Sequence, residues 1–497
     1  MRALATAGLL SAASTAGAAA SPGMPELSVE ATVGATDHGA AATGGGDQAD
    51  LPVLLRPRLR LERAGPFTLH LDAAALVAGS AAGRAPLRAW PDVAADARAE
   101  LVERLLSIDA GARLRPVAVD PFGVRPSASE TGNQRTEQAW RIGPVLRAEP
   151  WNGGLLLARR IDSWTLDNAG TRDDLRGART ELALVHAPAP VGGGLALTRL
   201  ASRIAGIGTS AFTLDTARAS LSAAPDPEVE LGVDAGADRT HTPGRDDDAA
   251  LWALRASWQP SERTGVSALL ESRFFGRGGT LLLHERTPWM SLQLEAAREP
   301  FLAAQAVDAP LGDSRSALDR ILTTRWPDPV ARQRVVEALV RGLGLDGGAF
   351  SPVGVQAPYP QLETRTTVAW TLLGPRSSVS LAFYDRADRM LRRHGQALVD
   401  AAAADDTRQR GVSLQAARTL EPGLALDLSW QLTRIAGLGD DDAPRSTESV
   451  ARVWVTRQLS ARAAVTFGGQ WLRLRSTQAG DDRPDAVLVF VGIVQRF

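Results

Sequence analysis

Long stretches in which apolar and polar residues alternate one for one constrain this chain more than any other feature. Val229, Leu231, Val233 and Ala235 interleave with Glu230, Gly232 and Asp234. Leu424, Leu426, Leu428, Trp430 and Leu432 interleave with Ala425, Asp427, Ser429 and Gln431. Met290, Leu292, Leu294 and Ala296 repeat the pattern, as do Leu59 and Leu61 between Arg58, Arg60 and Glu62. Successive side chains of a strand point to opposite faces, so period two means strands with one apolar and one polar face. A soluble sandwich satisfies that pattern as well as a membrane barrel does. Length separates them: many runs reach ~9–11 residues, enough to cross a bilayer at a tilt, where ordinary strands average ~5–6.

The connections point the same way. Tight turns at Ala64-Gly65-Pro66, Asn152-Gly153, Pro225-Asp226-Pro227, Gln259 to Glu262, Gly374-Pro375-Arg376, Glu421-Pro422-Gly423 and Ser460-Ala461 take turns with longer connections. The long ones are expected around Asp37 to Asp50, Ala81 to Val93, Asp120 to Asn133, Asp238 to Asp248, Arg386 to Asp406, Gly437 to Thr447 and Gln478 to Pro484. Outer-membrane barrels have short periplasmic turns and long outside loops. Phe67, Trp151, Trp258 and Trp289 each sit beside a tight turn, where an interfacial aromatic girdle belongs; ordinary hairpin packing is the alternative. The expected fold is therefore all-β: a closed antiparallel transmembrane β-barrel of about 22 strands, range ~18–24, occupying residues 21–497. An even count puts both ends of the barrel on the periplasmic side.

Composition removes competing classes. The chain has 497 residues, is 44% hydrophobic and contains no Cys, which excludes disulfide scaffolds, thiol nucleophiles and a lipoprotein anchor. Its mean hydropathy of -0.09 is too polar for a bundle of membrane helices. A net charge of -1 offers no basic field for nucleic acid. Residues 1–20 read as a signal peptide: Met1-Arg2, a short apolar run from Ala3 to Leu10, then Ala16-Gly17-Ala18 or Ala18-Ala19-Ala20 for cleavage. The first strand is expected near Glu26, leaving no room for an N-terminal plug domain. At the other end Val487, Val489, Val491, Ile493 and Phe497 share one face, and a terminal aromatic on an amphipathic strand resembles the signal read by the barrel assembly machinery. Gln495 interrupts that face.

One segment breaks the β pattern. Asp328 and Pro329 can start a helix, Val336, Leu339, Val340 and Leu343 follow helical spacing, and Gly344 can stop it. This helical insert lies in the longest connection, residues 300–360. An outside lid and an element folded into the lumen are both open to it; in the second case those four residues would line a constriction.

The chain after Leu251, most clearly from Trp258 to Leu343 and more diffusely over most of its length, resembles the outer-membrane β-barrel proteins associated with PEP-CTERM/exosortase systems. The carrying residues are Trp258-Gln-Pro-Ser-Glu-Arg-Thr264, Glu271-Ser-Arg-Phe-Phe-Gly276, Arg286-Thr287 and Trp326-Pro-Asp-Pro-Val-Ala-Arg332. Asp120-Pro-Phe-Gly123 and Asn133-Gln-Arg-Thr-Glu137 add to it. The resemblance implies a barrel in a setting of exopolysaccharide synthesis and protein sorting, with exopolysaccharide or sorted surface proteins as partners, and carries no catalytic residues.

Chemical motifs are wanting. The six His, at 38, 70, 186, 241, 284 and 394, show no metal-ligand spacing, and there is no nucleophile elbow or phosphate loop. Acidic clusters at Asp246-Asp247-Asp248, Asp405-Asp406, Asp440-Asp441-Asp442 and Asp481-Asp482 read as solvated loop charge, calcium being the alternative. The expectation is a non-enzymatic barrel without cofactor or metal, embedded in outer-membrane lipid. It is either a passive pore or export channel, or a non-conducting anchor whose loops bind polysaccharide or a partner.

Overall fold

In the computed structural model one antiparallel sheet of 22 strands closes on itself, the first strand pairing with the last. The structure describes residues 26–36, 51–63, 65–80, 88–118, 134–167, 174–205, 210–243, 245–301, 322, 332, 336, 360–393, 396–397, 406–439, 443–460, 462–477 and 485–497. The strands in chain order are β1 Glu26–Thr36, β2 Pro52–Arg63, β3 Phe67–Ser80, β4 Arg88–Val102, β5 Leu106–Ala118, β6 Gln134–Ala148, β7 Gly154–Asp167 and β8 Asp174–His186. Next come β9 Val191–Ala205, β10 Ser210–Asp226, β11 Val229–Thr242, β12 Arg245–Ser261, β13 Thr264–Arg273, β14 Gly276–Arg286 and β15 Met290–Phe301. The last seven are β16 Gln361–Leu373, β17 Ser377–Met390, β18 Thr407–Glu421, β19 Leu424–Gly437, β20 Arg445–Gln458, β21 Ala463–Ser476 and β22 Ala486–Arg496. Each pairs with its sequence neighbours, so no strand edge is left open inside a bilayer. Strands ~4.8 Å apart and tilted by ~40° give a wall-to-wall diameter of about 40 Å.

The apolar half of the alternation faces out. Leu231 and Val233 are 50% exposed while Asp234 between β11 neighbours is buried. Trp252, Leu254 and Trp258 of β12 and Leu195 and Leu197 of β9 are likewise exposed. A soluble sandwich would hide these side chains; here they form the band that lipid covers. On β22, Val487, Val489, Val491, Ile493 and Phe497 all lie on that outer face, and the Phe497 amide donates to the Leu27 carbonyl of β1, 2.8 Å away. Phe67, Trp151, Trp258 and Trp289 are exposed at the tight-turn end. At several outward positions that are charged the charges pair, as Arg199 of β9 does with Asp215 of β10 at 3.7 Å. On β7, between Ala158 and Trp164, the Arg160 guanidinium donates to Asp162 at 2.9 and 3.0 Å, each charge answering the other.

Connections at one end are uniformly tight, from Arg63 to Phe67 and so on to Gln458 and Ala463. Gly423, at φ 78°, makes the left-handed step that closes the turn from β18 to β19. The other end carries the long connections, but not all of them are long. The expected loop Asp238 to Asp248 is strand: β11 runs to Thr242, β12 starts at Arg245, and these two residues pair. Asp246-Asp247-Asp248 therefore belongs to a strand rather than a loop. Likewise β4 begins at Arg88 and β17 runs on to Met390, inside expected loops. Above the lipid both strand faces meet water or neighbouring chain, so the ladder continues after the apolar alternation stops. Residues 1–20, the acidic residues 405, 440–442 and 481–482, and Leu339, Val340 and Leu343 lie outside the described residues. Within the 300–360 connection, Leu322, Arg332 and Val336 are helical, and Leu322 and Val336 are buried.

Candidate functional site: the lumen wall

The inward half of the alternation is charged, and its charges pair across strands. On β10 to β13, Arg218 reaches Asp234 at 3.2 Å and Glu271 at 2.8 Å, while Arg255 donates to Asp234 from the other side at 3.1 Å. Closer to the loop side, Arg273 donates to Asp238 at 2.7 Å and to Thr216 at 3.0 Å. Thr216 in turn donates to Asp238 at 2.8 Å. Asp238 is fully buried. The ladder continues around the wall, Arg58 pairing with Asp72 between β2 and β3 and Arg141 with Asp96 at 2.6 Å, while along β8 Arg179 pairs with Glu181 at 3.4 Å.

On β15 to β17 acid exceeds base. Arg365 meets Glu363 at 2.6 Å, Glu295 at 2.8 Å and Glu299 at 3.0 Å; Arg386 meets Glu363 and Asp388, both at 2.9 Å. Among the described residues two guanidiniums thus face four carboxylates, a local excess that favours cations. Farther round, hydroxyls replace charges: Thr371 with Ser380, and Tyr384 with Thr433, each at 3.0 Å. A wall of this kind presents fixed donors and acceptors at every height, which suits hydrated polar solutes.

Burial is uneven along the axis. The bulkiest side chains with almost no exposure are Phe212, Leu214, Leu391, Gln409, Val336, Thr240, Asp238 and Ser378. All but Ser378 belong to loop-side strand ends, to the connection after β17 or to the helical insert. Phe212 and Leu214 of β10 alternate with Thr213 and Asp215 and lie on the inward face, together with Leu200 and Ala249. With Phe274, Leu362 and Leu391 they form a buried apolar cluster. Phe274 and Phe275, edge to face at 5.2 Å, fill the short connection above β13. In an open lumen about 40 Å wide an inward Phe would meet water, so the loop-side mouth is packed around this cluster.

Of the expected site residues, Phe497, Ile493 and Val491 are together on the outer face of β22, and Val336 is buried. The paired lumen charges escaped sequence reasoning. Their only sequence signal was the polar half of each alternating run, which carries no information about partners two strands away.

No protein-family model matches the sequence, and no curated protein does. Solved structures do. The FrpB iron transporter from Neisseria meningitidis superposes over 95% of this chain and 81% of its own, with TM-score 0.50 and 9% identity. The siderophore receptor PirA from Pseudomonas aeruginosa covers 95% of this chain and 80% of its own, with TM-score 0.33 and 10% identity. OccAB1 from Acinetobacter baumannii covers 95% and 96%, with TM-score 0.31 and 9% identity. At these identities the likeness is one of fold, and the fold is that of an outer-membrane β-barrel.

Proposed function

We propose that this outer-membrane barrel is a passive pore or export channel, narrowed at its loop-side mouth by the helical insert between β15 and β16. The carrying observation is a polar wall that meets a packed loop-side mouth. A charged and hydroxyl-lined wall runs through the barrel, while Phe212, Leu214, Gln409 and Asp238 at one mouth are almost fully buried. Burial of Leu322 and Val336 supports the insert as part of what covers them. The cargo class best suited to the wall is a hydrated polar polymer, and the resemblance to PEP-CTERM-associated barrels makes exopolysaccharide the first choice. Nothing in this reading calls for catalysis.

Packing of the mouth also favours a second reading, a closed barrel that anchors a partner and conducts nothing. Planar-bilayer conductance separates the two. Replacing Ser314 to Gly344 with a Gly/Ser linker is expected to raise single-channel conductance several-fold over the intact protein and to admit larger sugars in liposome-swelling assays. A deleted barrel that assembles yet conducts no more than the intact one would refute the constriction.

A further inference from the structure

Lipid offers a side chain no hydrogen-bond partner, so a charge that faces it marks a place where something other than lipid is expected. β7 carries two such charges at the centre of its outer face. Arg160 and Asp162 are the seventh and ninth residues of the strand Gly154–Asp167. Above them outward Trp164 pairs in register with outward Trp140 of β6, and below them Trp151 stands exposed at the tight turn. Tryptophans at two levels mark the two edges of the apolar band. At ~3.4 Å per residue and a tilt of ~40°, Arg160 lies about 10 Å below Trp164 and about 16 Å above Gly154. On the far wall, β20 to β22, the outward centres are Val453, Phe467 and Val491, all exposed.

Pairing cancels the net charge of Arg160 and Asp162 but leaves polar groups facing hydrocarbon. Among the described residues the Arg160 guanidinium donates to Asp162 alone, through two of its five N–H groups, and its side chain is 59% exposed. The polar ground continues sideways by register. Arg160 lies opposite Thr180, Thr180 opposite Arg199, and Arg199 opposite Asp215, so one seam crosses the outer face of β7 to β10. Arg199 and Asp215 are 3.7 Å apart. One step down, Ala158, Leu182, Leu197 and Ala217 restore the apolar face. One step up, Ala178 and Ala201 lie beside Asp162, small enough to let a neighbouring backbone come close.

We propose that this seam on β7 to β10 is where a second copy of the chain docks, side by side in the same membrane. The two charges at its centre are self-complementary. On a strand tilted by ~40°, Asp162 stands about 5 Å above Arg160 and about 4 Å to one side. A twofold axis along the membrane normal, passing between them, sets Arg160 of each copy against Asp162 of the other, within reach of a long side chain. The four charges then close into a ring that lipid no longer touches, and the remaining guanidinium N–H groups gain a second carboxylate. A different protein would need a matching pair of its own at this depth, whereas a second copy brings one already. The interface is on the outer wall and is independent of whether the lumen conducts.

The test uses the full-length protein. The chain contains no Cys, so Ala178→Cys places a single thiol beside the seam. In isolated outer membranes a short bismaleimide is expected to give a dimer band from Ala178→Cys and none from Val453→Cys on the far wall. Native mass spectrometry in mild detergent is expected to show the wild type as a dimer. Arg160→Leu/Asp162→Leu suits lipid and should keep heat-modifiable migration, while its dimer dissociation constant rises at least tenfold. Arg160→Asp/Asp162→Arg rebuilds the same ring in reverse and should dimerise as the wild type does. The crosslink is read with both charges in place, so it does not depend on the folding of either charge variant. A dimer of undiminished strength in the folded double-Leu variant overturns the proposal. So does Ala178→Cys that joins no second copy, whether it stays monomeric or joins a different polypeptide.

Discussion

At the scale of single residues, what decides each position is which side of the wall it faces. Leu231 and Glu230 are neighbours in sequence and stand on opposite faces of β11. Lipid meets the first and the lumen meets the second. Leu231→Arg is expected to cost roughly 2–4 kcal/mol, the penalty for Arg on the lipid face near mid-depth, and to lower the yield of heat-modifiable barrel. Glu230→Arg should assemble normally. Equal defects in the two variants, read on the same gel, would contradict the facing. The Arg160–Asp162 pair of β7 is an exception that follows the rule's physics. Two outward charges on one strand are tolerable because each neutralises the other.

Elements are held by more than their ladders. Near the loop side β11 and β12 run on to Thr242 and Arg245, and side chains take up the work of lipid packing there. Arg273 of β13 ties Asp238 of β11 to Thr216 of β10, and its ring neighbour Phe275 lies 5.7 Å from the guanidinium carbon. Arg273→Ala would leave a fully buried carboxylate without its cation, a loss of about 3 kcal/mol for a broken buried pair. Arg179→Ala, which removes a more exposed pair, should cost less than about 1 kcal/mol. Urea unfolding in micelles measures both. Similar midpoints would mean that water, not Arg273, already satisfies Asp238. Residues in strand where a loop was expected, such as Asp246 to Asp248, have the same origin. The apolar alternation that marks a strand in sequence is set by lipid, whereas the strand itself is set by backbone pairing and persists beyond the lipid.

For the whole molecule, closure is the governing event. β1 and β22 must find each other across the length of the chain, and Phe497 sits at that seam, its amide bonded to Leu27. Removing Phe497 is expected to slow insertion by the barrel assembly machinery several-fold without changing the final heat-modifiable form, measured as the folded fraction against time. Unaltered kinetics would deny the terminal aromatic a role in assembly.

The sequence alone determined the fold class, a strand number of about 22 within ~18–24, the outward face and the end at which the long connections lie. All of these follow from a local period of two and from turn chemistry, which neighbouring residues carry between them. Leu231 and Asp234 announce their faces within one strand. Tertiary structure alone decided which charges meet. Arg218, Asp234, Arg255 and Glu271 come from four strands, and nothing local in the chain links them. The same holds for the packed mouth around Phe212 and Leu391. Each arises from register between strands, and register exists only once the barrel has closed.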